Sequence, residues 1–107
     1  MRAVVEVALF TDDLDGLRAF YERVLAARPE ASWPGGAKLL VHERSGAPEG
    51  GPPNEDHVAI GVPDVDRACA ELRQLGAEIL VEARDYPWGR SAYLRDPDGR
   101  LVELAET

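Results

Sequence analysis

The chain has 107 residues, the size of one compact domain with a modest core. Its formal net charge is -8, which argues against nucleic acids or anionic membranes as main partners, because both need a basic surface. No apolar stretch approaches the roughly 18 residues of a membrane span, and no signal peptide is predicted. The single cysteine, Cys69, cannot form an internal disulfide, so a cytoplasmic location is expected.

An internal repeat relates the two halves of the chain. Residues 6–26 can be laid on residues 57–77 without a gap, and Glu6 then meets His57. Valine and alanine match valine and alanine at the next two positions, and both segments combine a strand-like alternation with a helical apolar stripe. We therefore predict two copies of one structural unit.

The first unit, residues 1–44, begins with a strand, because residues 4–10 alternate between two faces. A helix with an apolar stripe follows, and either Asp12 or Asp13 can cap its N-terminus. Two strands are predicted after this helix, near 28–33 and 37–43. The first unit is therefore one strand shorter than the second.

Residues 45–56 are rich in glycine and proline and are predicted to be a linker. The second unit, residues 57–107, repeats the strand and the helix, with Asp64 as its cap. Three further strands are predicted at about 78–84, 90–95 and 100–104. The expected fold class is α+β, in a single domain of residues 1–107: two tandem βαβββ-type units form a curved mixed sheet around a cleft, with helices outside.

Three residues that can bind a metal are predicted to face this cleft. Alternation places Glu6, His57 and Glu103 on the strand faces that do not pack under the helices. One imidazole and two carboxylates form a mixed N/O donor set that suits Mn, Fe, Ni, Co or Zn. The alternative stays open that His57 is a hydrogen-bonded structural residue and that both glutamates are solvated edge charges.

The stretches 7–25, 57–78 and 87–104 together resemble the vicinal oxygen chelate superfamily, which includes glyoxalase I, extradiol dioxygenases, methylmalonyl-CoA epimerase, fosfomycin-modifying enzymes and bleomycin-resistance proteins. The most specific of them reads "PWGRSAYLRDPDGRLVEL". The resemblance implies metal ligands from the first and last strands of each unit, which are Glu6, His57 and Glu103 here. Leu40 stands at the fourth position and cannot bind a metal. His42, two residues further on, is a weaker candidate.

Two functions of different classes follow from this resemblance. The first is a divalent-metal-dependent enzyme that acts on a small oxygen-bearing substrate by lyase, isomerase or epimerase, dioxygenase or fosfomycin-type transferase chemistry. Glu103 and Glu6 would then be the catalytic carboxylates. The second is a metal-free protein that binds a small molecule or an antibiotic at the cleft of a dimer.

Four further side chains are candidates for contact with the substrate. Trp33, Trp88 and Tyr93 could stack on a planar ligand, and Arg90 could meet an anionic one. Packing in the core or in loops is the alternative for the aromatic residues, and an exposed salt link is the alternative for the arginine. A homodimer is expected, because it would bury the edge strands of the sheet.

Overall fold

The computed structural model describes residues 2–29, 36–45 and 51–107. These residues form six strands and two helices. In chain order they are β1 (Ala3–Thr11), α1 (Leu14–Leu25), β2 (Lys38–Glu43), β3 (His57–Val62), α2 (Val65–Gln74), β4 (Ile79–Tyr86), β5 (Gly89–Arg95) and β6 (Leu101–Glu106). No helix in these ranges is long and apolar enough to cross a lipid bilayer.

The described strands form one mixed sheet in the order β2-β1-β3-β6-β5-β4. The two units meet at its centre, where β1 and β3 are antiparallel. Within each unit the first strand pairs in parallel with the last, β1 with β2 and β3 with β6. The remaining pairs, β4 with β5 and β5 with β6, are antiparallel. The predicted α+β fold with a shortened first unit is thus confirmed.

Both helices begin at equivalent aspartates. The side chain of Asp13 accepts a hydrogen bond from the Gly16 amide, and that of Asp64 accepts one from the Arg67 amide, both at 3.0 Å. Each carboxylate satisfies an amide that the first helical turn leaves unpaired. Of the two caps predicted for α1, Asp13 is the one used.

The first unit contains one described strand after its helix instead of the predicted two. Arg28 and Pro29 are not in a strand, and residues 30–33 of the predicted strand lie outside the described ranges. Proline lacks the N–H that a strand ladder requires, which disfavours pairing at that point. Because β2 is parallel to β1 as β6 is to β3, it occupies the place of a unit's last strand.

The main core lies between α2 and the sheet. It consists of buried apolar side chains from β3, α2, β5 and β6, namely Val62, Val65, Ala68, Cys69, Ala92 and Leu104. In contrast, α1 has no buried residue, and its Phe20 and Val24 are 55% and 63% exposed. The helix of the shortened unit therefore has less sheet beneath its apolar stripe.

Candidate metal centre

Three strands place Glu6, His57 and Glu103 on one face of the sheet, which we call the site face. In the register of the sheet, Glu6 of β1 and Glu103 of β6 both pair with Ala59 of β3. His57 precedes Ala59 by two residues and so points to the same face. One ligand atom from each of the three side chains lies within 4.8 Å of the others. The structure thus brings together the three residues predicted to be ligands.

The ring of His57 is oriented by a backbone carbonyl. Its Nδ1 lies 2.9 Å from the carbonyl oxygen of Glu55, and its Nε2 lies 3.1 Å from Oε1 of Glu103. Because a carbonyl oxygen can only accept, Nδ1 carries the hydrogen of this bond. Nε2 is then the nitrogen that faces the centre, as in metal sites where the other ring nitrogen donates to a carbonyl.

Glu103 is fixed at both carboxylate oxygens. Its side chain is only 7% exposed, and while Oε1 meets His57, Oε2 accepts a hydrogen bond of 2.7 Å from the Ser91 hydroxyl. Ser91 is itself buried. Ser91 was not among the predicted site residues, although its place two positions before Tyr93 puts both side chains on the same face of the strand.

The environment shifts the pKa values of the two carboxyl groups in opposite directions. Burial raises the pKa of Glu6, and the charge of Glu103 adds to this effect against the opposing charges of His57 and Lys38. Burial also acts to raise the pKa of Glu103, but hydrogen bonds from His57 and Ser91 outweigh it and lower that pKa. Glu103 therefore keeps its negative charge to a lower pH than Glu6 does.

The imidazole is stabilised in its charged form. Burial acts to lower the pKa of His57, but the hydrogen bonds to Glu103 and to the Glu55 carbonyl prevail and raise it. Because Nδ1–H donates to the Glu55 carbonyl, the contact between Nε2 of His57 and Oε1 of Glu103 needs a proton on Nε2 or on Oε1. A divalent cation could take the place of that proton.

The donor set fits a divalent ion. It supplies one imidazole nitrogen and two carboxylates, a combination that suits Zn and the neighbouring transition metals. Three protein ligands would leave coordination positions for water and for oxygen atoms of a substrate.

The fourth ligand position of a symmetric site is filled by an apolar residue. Leu40 pairs with Ala8 as Glu103 pairs with Ala59, so the register places Leu40 at the position equivalent to Glu103. The ring of His42 packs on Phe10 with a centroid distance of 5.0 Å. Among the described residues His42 does not belong to the cluster that could hold an ion.

Of the predicted aromatic contacts, Tyr93 lies beside the centre, and Trp88 is connected to Tyr93 only through Tyr86. Tyr93 is buried beside His57, with ring centroids 6.0 Å apart, and burial followed by the charge of Glu103 raises the pKa of its hydroxyl. Trp88 stacks on Tyr86, which is 6.2 Å from Tyr93. Trp33, the third predicted aromatic contact, lies outside the described residues.

Arg90 lies on the other face of the sheet. Side chains alternate along β5, so Ser91 and Tyr93 face the centre while Arg90 faces α2. Its guanidinium donates to Asp66 at 2.8 and 2.9 Å and to Asp85 at 3.2 Å. The structure therefore does not bring Arg90 to the site, and it shows the salt link that the sequence left open.

A second acidic cluster of Asp64, Asp66 and Glu106 is exposed, and each member already has a partner. Asp64 caps α2, Asp66 pairs with Arg90, and Glu106 accepts a hydrogen bond of 3.1 Å from the first amide of α2. These contacts explain the cluster as helix capping and surface pairing.

A recess of about 720 Å³ lies where β3 and β6 begin. It is lined by His57 but by neither Glu6 nor Glu103. Its arginines, Arg44 and Arg100, are paired with carboxylates at 3.0 and 3.1 Å. The recess therefore borders the candidate metal centre at His57 without including its two carboxylates.

The paired β-α-β units and the imidazole–carboxylate cluster where they meet define a class of small α+β proteins with a site shared by two repeats. A family model of the Glyoxalase/Bleomycin resistance protein/Dioxygenase superfamily matches residues 3–104. The chain belongs to this superfamily, which confirms the resemblance noted in the sequence.

Curated relatives match a shorter part of the chain. The lactoylglutathione lyase of Escherichia coli O157:H7 is 36% identical over 52 residues, which are 47% of this chain and 38% of the relative. A probable lactoylglutathione lyase of Synechocystis sp. is 34% identical over 53 residues, 48% of this chain and 40% of the relative. The matches thus span less than half the length of either relative.

Solved structures match over nearly the whole chain. A variant of methylmalonyl-CoA epimerase from Streptomyces coelicolor, in complex with 2-nitronate-propionyl-CoA, has a TM-score of 0.73 at 22% identity and covers 98% of this chain and 94% of its own. A hypothetical protein from Bacillus halodurans C-125 has a TM-score of 0.75 at 19% identity, with coverages of 99% and 94%. At such identities the likeness shows the fold.

Proposed function

We propose that the chain is a divalent-metal-dependent enzyme in which Glu6, His57 and Glu103 hold the ion. The observation that carries this proposal is the convergence of the three side chains within 4.8 Å on one face of the sheet. The orientation of the His57 ring by the Glu55 carbonyl supports it, because that contact leaves Nε2 for the ion. Mn, Fe, Ni, Co or Zn would suit this donor set.

The substrate is a small molecule that carries oxygen atoms. A bound divalent ion supplies Lewis acidity, which stabilises negative charge that develops on a substrate oxygen. The curated relatives named lactoylglutathione lyase favour lyase chemistry over the isomerase or epimerase, dioxygenase and fosfomycin-type transferase alternatives. Such reactions require a protein group that takes up and returns a proton.

We assign the proton transfer to Glu6 and a holding role to Glu103. Both oxygens of Glu103 are engaged, by His57 and by Ser91. No hydrogen bond reaches the Glu6 carboxylate from the part of the chain that the structure describes, and its pKa is raised. A carboxylate that is free to move and closer to neutrality is the better proton carrier.

Metal binding by the purified protein tests this function. Protein prepared without chelator is analysed for bound ions, and Mn²⁺ and Zn²⁺ are titrated calorimetrically into the chelator-treated protein. We expect one ion per chain. Loss of a residue that only hydrogen-bonds to a metal ligand lowers metal affinity by roughly 10–100-fold, and we expect Glu103→Ala, which removes a ligand, to lower it by more than that. The exposed Glu78→Ala serves as the matched control. A wild-type protein that neither contains nor retains an ion would overturn the proposal.

A metal-free binding protein with its ligand at a dimer cleft is the second candidate. Leu40 at the fourth ligand position and Trp88, which is 59% exposed, favour it.

We also propose a homodimer, supported by the exposed apolar side chains of α1. We propose a cytoplasmic location, supported by the free and buried Cys69.

A further inference from the structure

Arg84 lies on the site face, two strands away from Glu103. It pairs across β4 and β5 with Ser91, whose hydroxyl donates to Glu103. Residues paired in this way point to the same face of a sheet. Neighbouring strands are about 4.8 Å apart, so Arg84 starts about 10 Å from the strand that carries Glu103. This distance is the length of a small molecule.

The guanidinium of Arg84 has no ion-pair partner within the described ranges. The other arginines of the second unit all pair with carboxylates, namely Arg67, Arg73, Arg90, Arg95 and Arg100. Arg84 instead lies over the ring of Tyr86, with its central carbon 5.7 Å from the ring centroid. An exposed cation that is held by an aromatic ring and lacks a carboxylate is available to an anionic ligand.

A series of ring contacts connects this cation with the metal centre. Tyr86 and Trp88 stack in parallel with their centroids 4.4 Å apart. Tyr93 meets Tyr86 in a T-shaped contact at 6.2 Å and meets His57 of the centre at 6.0 Å. Trp88 leaves 59% of its surface exposed. The Tyr86 hydroxyl is buried, and no hydrogen-bond partner for it exists among the described residues. Because this oxygen is enclosed by the protein, the exposed ring of Trp88 is the part of this series that a ligand can reach.

We propose that the site takes a small planar anion, an aromatic or conjugated carboxylate. Its carboxylate binds Arg84, its planar body lies along Trp88, and an oxygen atom at its other end reaches the centre of Glu6, His57 and Glu103. The inference rests on the proposed function and names the substrate class of that site. In the metal-free protein the two glutamates repel the carboxylate of the ligand and so favour its binding at Arg84.

Two isosteric probes test this inference. 4-Hydroxybenzoate and its uncharged analogue 4-hydroxybenzamide share size, plane and hydroxyl group and differ in charge. Their affinities are measured by calorimetry for the chelator-treated and the zinc-loaded protein. We expect the wild-type protein to bind the carboxylate about tenfold or more tightly than the amide, the difference that a charge-assisted hydrogen bond makes. Cyclohexanecarboxylate keeps the charge but lacks the planar ring and the hydroxyl group, and it should bind more weakly than 4-hydroxybenzoate.

Matched variants locate the effect. Arg84→Gln should abolish the preference for the carboxylate, whereas Arg23→Gln, at an exposed arginine of α1, should leave it unchanged. Trp88→Ala should weaken both aromatic probes. Equal affinities of the two probes for the wild type, no binding of either, or a preference that survives in Arg84→Gln would each overturn the inference.

The same proteins separate this inference from the proposed function. If zinc binds equally to the wild type and to Arg84→Gln while neither protein prefers the carboxylate, the substrate class is wrong and the metal function stands. If no ion binds but the chelator-treated wild type keeps a preference that Arg84→Gln loses, the anion site stands and the metal function is wrong.

Discussion

At the scale of single residues, the two carboxylates of the centre differ in how they are held. Glu103 is buried and contacted at both oxygens, while the described residues offer the Glu6 carboxylate no hydrogen bond. Ser91 contributes to this difference, because its hydroxyl donates to Oε2, the oxygen of Glu103 that His57 does not contact. It acts on the ion only through Glu103 and is therefore a positioning residue.

Replacement of Ser91 by alanine tests that role. Ser91→Ala should lower zinc affinity by about 10–100-fold, as the loss of an outer hydrogen bond does at metal sites. It should also lower the free energy of unfolding by about 1–3 kcal/mol, because a buried carboxylate oxygen loses its partner. Calorimetry and urea unfolding measure the two effects. Ser45→Ala, at an exposed position, is the control, and unchanged zinc affinity in Ser91→Ala would refute the role.

The raised pKa of His57 predicts how the stability of the metal-free protein depends on pH. A folded-state pKa above the ordinary 6.5 means that the folded protein holds this proton more tightly than the unfolded chain. The stabilisation is complete below the unfolded pKa and is lost as the pH rises through the raised folded pKa. With chelator present, the urea concentration at the midpoint of unfolding should decrease as the pH rises from about 6 to about 9. His57→Gln should flatten that part of the profile; an unchanged slope in the variant would contradict the assignment.

At the scale of elements, the two helices begin alike and are packed differently. Asp13 and Asp64 form the same capping bond at the same distance. Three side chains of α2 are buried, Val65, Ala68 and Cys69, and α1 has none. The difference follows from the sheet, since the described part of the first unit provides two strands where the second provides four.

Equivalent cap substitutions should therefore have unequal effects. Asp64→Ala should lower the free energy of unfolding by about 1 kcal/mol, the usual cost of a lost N-cap. Asp13→Ala should cost less, because α1 can fray without exposing a core. Urea unfolding of both variants measures the difference. Equal losses would mean that α1 is as well packed as α2 in solution.

At the scale of the whole molecule, both units expose apolar side chains, and those of α1 lie next to an edge of the sheet. Phe20 and Val24 are more than half exposed on α1, which packs beside β2, the edge strand of the described sheet. An edge strand next to an apolar helix face favours association, because a second chain can cover both. A second copy would place its own α1 and β2 against this surface across a two-fold axis.

Light scattering with size-exclusion chromatography tests the expected homodimer. The wild type should elute as a dimer, and Phe20→Glu should shift it towards the monomer. Leu75→Glu alters a side chain that is 84% exposed at the other helix and should leave the dimer intact. A wild type that is monomeric at all concentrations, or equal dissociation by both substitutions, would argue against this surface.

The local features of this protein could be predicted from its sequence because they depend on neighbours along the chain. Alternation identified the strands that carry Glu6, His57 and Glu103, and the repeat predicted that they converge. The caps at Asp13 and Asp64 followed from the start of each helical stripe. Alternation between Tyr93 and Arg90, an odd number of residues apart, could also have placed Arg90 on the other face.

Only the tertiary structure decided which side chains support the centre. The bond from Ser91 to Glu103, the carbonyl of Glu55 at His57, and Arg84 opposite Ser91 all depend on the register between strands that are distant in sequence. The register of β4 shifts at an irregularity before Arg84, which a simple alternation cannot foresee. A sequence encodes the face of each strand locally, but the partner across the sheet is selected by packing of the whole fold.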